Sequence, residues 1–228
     1  MNKLTMNKIL ATIIFIGVAV SAFAAKGLVV TQKYTDANVK ADMTVTWYVS
    51  QSSCKMKMTF NDAKVNTVNW FFPDVVNSQL LTYGEGPVPA GVQKAYYAIP
   101  VKNIQADKSI EVSRIKVERT AETKTMAGMN CEKILVKTNR TITEMWVTKD
   151  FKADYYKFYA FFQNSTELMG LSEEQIQGFP LASVTKDLSG KLISSAELIS
   201  ATPTEFTDAD FKVPSDYVNA ADVNTPKK

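Results

Sequence analysis

The sequence predicts a mainly β protein of the α+β class, in which a curved antiparallel sheet forms a half-open barrel and an aromatic helix packs on its concave face. Two observations predict this fold. About ten segments have the composition or the two-residue period of β-strands, whereas one segment after Asp150 has helical spacing. Strands precede and follow this helix without strand–helix alternation, which favours an antiparallel sheet with a segregated helix over a doubly wound fold.

The segment Cys54–Phe60 carries the clearest strand pattern in the chain. Its apolar side chains alternate with Lys and Thr, and the apolar set is Cys54, Met56, Met58 and Phe60. A two-residue period with one apolar face predicts a half-buried antiparallel strand. The β-rich segment Met43–Ser50 and the polar residues Gln51–Ser53 come directly before it, so the two strands are predicted to form a hairpin.

A central hairpin is predicted at Glu132–Thr138 and Thr141–Thr148, with its turn at Thr138–Thr141. Further strands are predicted at Gly27–Asp36, Val65–Phe72, Lys94–Val101, Ser109–Thr120, Leu181–Asp187 and Leu192–Ser200. The segment Val75–Tyr83 fits either a strand or a short helix, and Thr123–Gly128 is predicted to be a turn. We find no internal repeat and no linker, so residues 25–218 are expected to form a single domain.

The helical segment after Asp150 is rich in aromatic rings. Its stripe has the spacing i, i+3, i+4, i+7 and i+14, and consists of Tyr155, Phe158, Tyr159, Phe162 and Met169. One interpretation is ordinary packing of a helix on a sheet. The other is a helix that covers a hollow half-barrel, so that its rings and the methionines line a cavity for an acyl chain. The ligand-binding residues predicted on this basis are Met56, Met58, Phe60, Trp146, Tyr155, Phe158, Tyr159 and Phe162.

Residues 1–24 have the three parts of a secretory signal peptide. Lys3 and Lys8 give a positive start, Ile9–Val20 carries no charge, and Ser21–Ala24 supplies small residues for cleavage. The alternative is an uncleaved membrane anchor, but the apolar run is too short for a typical spanning helix. The predicted mature chain starts at Ala25 rather than at a cysteine that could carry a lipid. We therefore expect a periplasmic or secreted protein that does not span the membrane, with a disordered tail at 219–228.

The charge balance argues against a nucleic-acid partner. The full chain has a formal net charge of +3, and removal of Lys3 and Lys8 lowers it to +1, with no basic block elsewhere. Cys54 and Cys131 are the two cysteines of the chain. In an exported protein such a pair predicts a disulfide, and the alternative is two separate buried thiols.

Histidine is absent from the sequence. Ser–His–acid and Cys–His catalysis are therefore excluded, as are histidine-containing zinc sites, and we expect neither an enzyme, a metal nor a cofactor. Two weaker metal patterns remain. Cys54, Met56 and Met58 resemble soft ligands for copper(I), but methionines on a core face are the simpler interpretation. Asp208 and Asp210 lack the further ligands that a calcium site needs.

Four short motifs resemble the DUF4412 family of exported bacterial proteins. They are Gly128-x-x-Cys131, the Glu144–Asp150 step from strand to helix, Gly178–Leu181, and the closing segment Phe211–Tyr217. Ile134 stands where an aromatic residue is usual in this family, and Cys54 is outside its pattern. The family is similar in layout to LolA/LolB-like proteins, whose curved half-open sheet is covered by helices. The resemblance implies an extracytoplasmic carrier or sensor of lipid or acyl groups, and it brings no catalytic residue.

Two functions follow from these observations. The first is a non-enzymatic binding protein with an apolar cavity between the sheet and the aromatic helix. The second is an envelope interaction module with a solid core, which holds a protein partner through a sheet edge or through the Gly84–Gly91 loop.

Overall fold

The structure is a computed structural model, and it describes residues 25–61, 66–86, 93–101, 115–153, 158, 176 and 178–223. Twelve strands form one sheet in this part of the chain. They are β1 Ala25–Asp36, β2 Val39–Ser50, β3 Cys54–Asn61, β4 Asn66–Asp74, β5 Gln79–Glu85, β6 Ala95–Pro100, β7 Lys116–Met126, β8 Met129–Lys137, β9 Thr141–Thr148, β10 Phe179–Asp187, β11 Leu192–Phe206 and β12 Val218–Asn219. A 3₁₀ helix at Asp208–Phe211 and an α-helix at Ala220–Val223 are both short.

The strand order is β12-β6-β5-β4-β3-β2-β1-β11-β10-β9-β8-β7. Every neighbouring pair is antiparallel except β12 and β6, which are parallel. The prediction of a mainly β protein with a large, curved, open antiparallel sheet is confirmed. Of the predicted aromatic stripe only Phe158 is among the described residues, so the helix on the concave face stays a prediction. In the described part of the chain, no helix is both long and apolar enough to cross a membrane.

Several predicted strands are shorter or longer in the structure. The predicted turn at Thr123–Gly128 is wrong, because β7 continues to Met126 and only Ala127 and Gly128 turn the chain, both with positive φ. The register explains this difference, since Thr123 and Lys124 pair with residues of β8. In the ambiguous segment Val75–Tyr83, a turn comes first and the strand starts at Gln79.

The sheet curls strongly enough for distant strands to share a core. Cross-strand partners lie on the same face, so Val30, Trp47 and Met56 point together to one side. That side holds a cluster of seventeen buried residues. Fifteen of them come from β1, β2, β3, β8, β9 and β10, and the other two, Phe158 and Ile176, lie outside the strands. Because β3 and β8 lie far apart in the strand order and still contribute to one cluster, this side is the inner face of the curved sheet.

Gln32 is a buried polar residue of β1 on this inner face. Its amide Nε2 donates to the carbonyl oxygens of Pro180 at 3.1 Å and Leu181 at 2.9 Å, and its Oε1 accepts from Trp47 Nε1 at 3.1 Å. These bonds join β1 directly to β10, although β11 lies between them in the sheet. The β9–β10 register shifts between Pro180 and Ala182, where the sheet bends.

Gly178 fixes the chain path just before β10. Its φ is +115°, and an added Cβ would lie 1.9 Å from the carbonyl oxygen of Thr148. No side chain fits in that space, so the approach of β10 to the end of β9 requires glycine here.

The predicted disulfide is not formed. Cys54 and Cys131 are both free thiols and both are buried in the inner-face cluster. Cys54 begins β3 opposite Val49, whereas Cys131 lies on β8 between Lys124 and Thr148. Each cysteine therefore fills a small apolar position in the core, which was the alternative that the sequence left open.

The predicted limits of the domain, 25–218, stay predictions. Regular structure continues through β12 and the last helix to Val223, beyond the predicted start of the tail. Residues 1–24, which carry the predicted signal peptide, lie outside the described residues.

Candidate functional site: a cavity beneath the C-terminal segment

A second cluster lies on the outer face of the sheet and is aromatic. Trp70, Phe72 and Tyr83 are its buried members. Trp70 and Phe72 are two residues apart on β4, and Tyr83 is the cross-strand partner of Trp70 on β5. The alternating period of strands therefore brings all three rings to one face, with ring centroids 5.7–6.4 Å apart.

The chain after β11 folds back across this aromatic cluster, and residues 207–219 are called the C-terminal segment below. It begins at the 3₁₀ helix, where Thr207 and Asp210 form a capping box. Tyr217 then packs on Tyr83 with 4.3 Å between ring centroids, and Val213 contacts the same cluster. Its end joins the sheet as β12, beside β6.

Lys94 fastens the end of the C-terminal segment. Its ammonium lies 2.8 Å from the carboxylate of Asp216 and 5.3 Å from the ring centre of Tyr217, and its carbonyl accepts from the Val218 amide. The hydrogen bond lowers the pKa of Asp216 and raises the pKa of Lys94. This fastening is a surface ion pair joined to a two-residue strand, so it is weak compared with the sheet.

Lysine side chains cover the outer cluster where the segment does not. Lys55 Nζ lies 4.9 Å from the ring centre of Tyr48 and 5.1 Å from that of Trp70. Ring faces attract the ammonium, whereas loss of hydration lowers the pKa of Lys55, an effect that Asp210 partly opposes. Burial also raises the pKa of Tyr83, with further contributions from Tyr217, Glu85 and Asp216 in that order. The tyrosine therefore stays neutral at physiological pH.

A cavity of about 670 Å³ lies between the C-terminal segment and the sheet. Its volume is within the range of small-molecule sites, roughly 300–1,000 Å³. The wall is mainly apolar and is formed by Phe72, Pro73, Val75, Val76, Leu81, Tyr96, Phe158, Phe211, Val213, Pro214 and Tyr217. Its polar members are Ser52, Ser53, Asp74, Lys212 and Ser215, and the buried Cys54 completes it. The mouth is open to solvent on the side of Val76, whose side chain is 93% exposed.

The wall of this cavity also includes two residues of the inner-face cluster, Cys54 and Phe158. Ser52 and Ser53, from the β2–β3 turn, and Cys54, from the start of β3, belong to its wall, as does Phe158. Burial raises the pKa of the Cys54 thiol well above its ordinary value, so this sulfur is a protonated wall atom rather than a nucleophile.

A second cavity of about 560 Å³ lies beside the start of β1 and the end of β11. Its wall consists of Lys26, Gly27, Leu28, Met129, Asp150, Phe151, Pro203, Thr204 and Glu205. The two cavities share no residue of their walls.

The predicted ligand-binding residues that the structure describes do not line one common cavity. Met56 belongs to the inner-face cluster, and Met58 and Trp146 pack against it. Phe60 is partly buried, and Lys124 Nζ lies 3.9 Å from the ring centre of Trp146. Phe158, 3% exposed, is the predicted residue that reaches the wall of the large cavity. Neither cavity has Met56, Met58, Phe60 or Trp146 in its wall, and Tyr155, Tyr159 and Phe162 lie outside the described residues.

The main wall residues of the large cavity were missed by the sequence interpretation. Phe72 and Leu81 were placed only as members of strand-like segments, and Val213 and Tyr217 only as part of a closing motif. The aromatic pair Trp70 and Phe72, at a spacing of two, was the available signal for a second apolar face on β4. The return of the C-terminal segment to that face is a long-range contact that no local pattern reveals.

The weaker metal patterns also have structural explanations. The Asp210 carboxylate accepts hydrogen bonds from the Thr207 amide at 2.7 Å and the Thr207 hydroxyl at 2.9 Å, so it caps the 3₁₀ helix. Among the residues that the structure describes, no group of three or more His, Cys, Asp or Glu side chains could hold a metal ion.

Comparison with known families identifies the chain. The model of the domain of unknown function DUF4412 matches residues 26–217. The chain belongs to the DUF4412 family. The match covers both clusters and the C-terminal segment as far as Tyr217, so these features lie within the family domain. No curated protein matches the chain in sequence.

Several solved structures are similar to part or most of this DUF4412 chain. The MucA/MucB complex of Pseudomonas aeruginosa gives a TM-score of 0.46 at 12% identity, covering 86% of this chain and 58% of that chain. An uncharacterised conserved protein of Thermus thermophilus gives 0.45 at 10% identity, covering 87% and 92%. A domain from Vibrio parahaemolyticus, whose name is that of an outer membrane lipoprotein-sorting protein, gives 0.35 at 10% identity, covering 82% and 89%. At these scores, none of the three carries an argument about function.

Proposed function

We propose that this DUF4412 protein is an extracytoplasmic, non-enzymatic binding protein that takes the apolar part of an amphiphilic ligand, such as a lipid acyl chain, into the large outer cavity. The observation that carries the proposal is the 670 Å³ space between Phe72, Leu81 and the C-terminal segment. An apolar wall of this kind gains free energy from each buried methylene of a ligand, about 0.8 kcal/mol.

The polar residues of the wall suit a ligand with one hydrophilic end. Lys212 and Ser215 lie on the C-terminal segment, and Asp74 lies at the end of β4, so polar groups stand beside an apolar interior. An acyl chain would extend along Phe72 and Leu81 while its head group stays near the open mouth. Aromatic and aliphatic walls impose little shape selectivity, which fits a carrier or sensor of a ligand class.

Ligand entry would use the C-terminal segment. This segment is held by the Lys94–Asp216 ion pair, by the contact of Tyr217 with Tyr83, and by two residues of β12. Such a small set of contacts can open locally without unfolding the sheet. The cavity would then admit a ligand longer than its open mouth alone allows.

The extracytoplasmic and non-enzymatic parts of the proposal rest on the sequence. The N-terminal 24 residues have the pattern of a signal peptide, and the chain has no histidine. Both thiols are buried, and burial raises the pKa of each, so thiolate chemistry has no support either.

Binding of dansyl-undecanoic acid, followed by fluorescence, tests the proposal. We expect Val213→Trp to weaken binding at least tenfold by filling the cavity, because several methylenes would lose their apolar contacts. Leu188→Trp is the matched control, since Leu188 is exposed at the β10–β11 turn, and it should bind like the unmodified protein.

Two results would contradict the proposal. One is an absence of fatty-acid uptake together with ligand-free native mass spectra of gently extracted protein. The other is binding that is insensitive to Val213→Trp but is lost in Met58→Trp. That second result would move the ligand to the inner face that the sequence predicted.

A further inference from the structure

Strands β10 and β11 pair along only part of their length and then diverge. These strands pair only where Ser183–Lys186 meets Leu192–Ala196. From Leu198 to Phe206, β11 pairs with β1 alone. Its other side therefore lacks a strand partner in the described part of the chain, so that β11 is a central strand at its start and an edge strand at its end.

Several residues along the unpaired half of β11 are exposed. The backbone hydrogen bonds of the described residues outside the ladders include none from 198–206. Ile199 of β11 is the extra residue of a bulge opposite Thr31 and Gln32 of β1, and it is 59% exposed. Thr202, Pro203 and Glu205 are exposed as well. An uncovered strand edge presents a row of N–H and C=O groups that can pair with another extended chain.

Pro203 indicates which residues face outward. Proline has no N–H to give to a ladder, so within sheets it lies where that group would point away from the neighbouring strand. Pro203 pairs with Leu28 of β1, and its missing N–H would therefore face the free side. Because alternate residues share a direction, the N–H groups of Ala201 and Glu205 should point outward too.

Two carbonyl groups of β10, on the opposite side of the gap between the strands, already have hydrogen-bond partners. The carbonyls of Pro180 and Leu181 on β10 accept hydrogen bonds from the buried amide of Gln32. These two carbonyls of β10 are therefore occupied by Gln32, whereas no such bond to the free side of β11 is seen among the described residues.

The second cavity lies beside this free edge. Pro203, Thr204 and Glu205 of β11 form one side of the 560 Å³ space, and Leu28, Met129 and Phe151 supply its apolar surface. A chain added alongside β11 would direct alternate side chains towards the sheet face, where one apolar side chain could enter this space.

We propose that an extended peptide segment of a partner protein binds here as an added strand along Ile199–Phe206, with one apolar side chain in the 560 Å³ cavity. Main-chain groups in a row recognise another main chain, which an acyl ligand cannot match. The other long edge, β7, is less suitable because Lys116, Glu118 and Arg119 place charges along it. This site shares no wall residue with the outer cavity, so the proposal stands apart from lipid binding.

Selection of phage-displayed peptides of about ten residues on the purified protein, followed by hydrogen–deuterium exchange with the enriched peptide, tests the proposal. We expect at least tenfold slower exchange of the Ala201 and Glu205 amides on binding. The same peptide with alternate N-methylated amides should bind at least tenfold more weakly, since two or three main-chain hydrogen bonds would be lost.

Two variants of the protein complete the test. Ala201→Pro should abolish peptide binding, and Ala201→Ser, which keeps the N–H, should bind normally. Should Ala201→Pro fail to fold, Glu205→Trp replaces it, because Glu205 lines the cavity and pairs with Lys26, so it lies on the same face as Leu28. The larger side chain would fill the cavity and should also reduce binding at least tenfold. The proposal is overturned by an absence of enriched peptides, by protection of β6 amides instead of β11, or by unchanged binding of the N-methylated peptide.

Discussion

The inner and outer faces of this sheet are packed in opposite ways. The inner face joins six strands, Phe158 and Ile176 through seventeen buried residues, most of them aliphatic or sulfur-containing. The outer face has three buried rings, covered by the C-terminal segment and by lysine side chains. The inner packing is made by the sheet curling on itself, whereas the outer packing depends on a short segment of irregular chain.

This difference explains where a cavity can exist. Side chains from strands that face each other interdigitate within the inner cluster, of which Leu28 and Met129 border the 560 Å³ cavity. A segment with one 3₁₀ turn and a proline, Pro214, does not pack as regularly on a sheet as another strand does, so the large rings beneath it leave a gap. The main core and the 670 Å³ cavity therefore lie largely on different faces of the same strands, and β3 and β4 contribute to both faces.

Phe179→Ala and Phe72→Ala form the strongest test of this contrast. Phe179 is fully buried and meets Trp47 edge to face at 5.9 Å. We expect its truncation to lower the free energy of unfolding by about 3–5 kcal/mol in urea titrations. Phe72 already borders a cavity, so the same truncation should cost clearly less. Equal losses at the two positions would show that the outer cluster is as tightly packed as the inner one.

Gln32→Leu tests the polar link that holds the bend of the inner face. The substitution removes two donors to the carbonyls of Pro180 and Leu181 and the acceptor of the Trp47 indole. Loss of buried hydrogen bonds of this kind should lower the free energy of unfolding by about 1–3 kcal/mol. The neighbouring variant Lys33→Ala is the control and should change it by about 0.5 kcal/mol or less, because its pair with Asp42 is exposed. A neutral Gln32→Leu would contradict the role of these bonds.

The pH dependence of the C-terminal segment should differ from that of the sheet. The Asp216 pKa is lowered, so its contribution is present above the ordinary value of 3.8 and is lost as pH falls through the lowered value. The Lys94 pKa is raised, so its contribution is present below 10.5 and is lost as pH rises through the raised value.

Exchange of the Val218 amide, which donates to the Lys94 carbonyl, reports this docking. The protection factor of this amide, which corrects for the intrinsic pH dependence of exchange, should be high between these limits and lower outside them, while inner-face amides stay protected until the protein unfolds. Asp216→Asn should lower the Val218 protection factor at neutral pH and remove the further loss of protection in acid. Loss of Val218 and inner-face protection at the same pH would contradict independent opening of the segment.

The smallest expected effect is the reaction of the two cysteine thiols with a labelling reagent in the native protein. Burial raises the pKa of both Cys54 and Cys131, so neither should react with a disulfide reagent in the native protein at neutral pH. Two thiols should react after denaturation without a reductant. A count of zero under those conditions would restore the disulfide that the sequence suggested.

The strands were predictable because their patterns are local. Cys54–Phe60 alternates so regularly that its inner and outer faces follow from the residue types alone, and the hairpin at Thr138–Thr141 follows from its turn. Thr123–Gly128 was misjudged because its small polar residues fit a turn by composition, whereas pairing with β8 keeps it extended. The cysteines were misjudged because an even count says nothing about whether two thiols approach each other.

By itself, the sequence determined the fold class, the family motifs, the exclusion of histidine chemistry and the face to which most strand residues point. These properties depend on residue type and on a two-residue period, which act over a few positions. Only the tertiary structure decided that the C-terminal segment covers Trp70, Phe72 and Tyr83, that β11 leaves β10, and that cavities lie at both places. Such contacts join residues far apart in the chain, and their geometry depends on how the whole sheet curls.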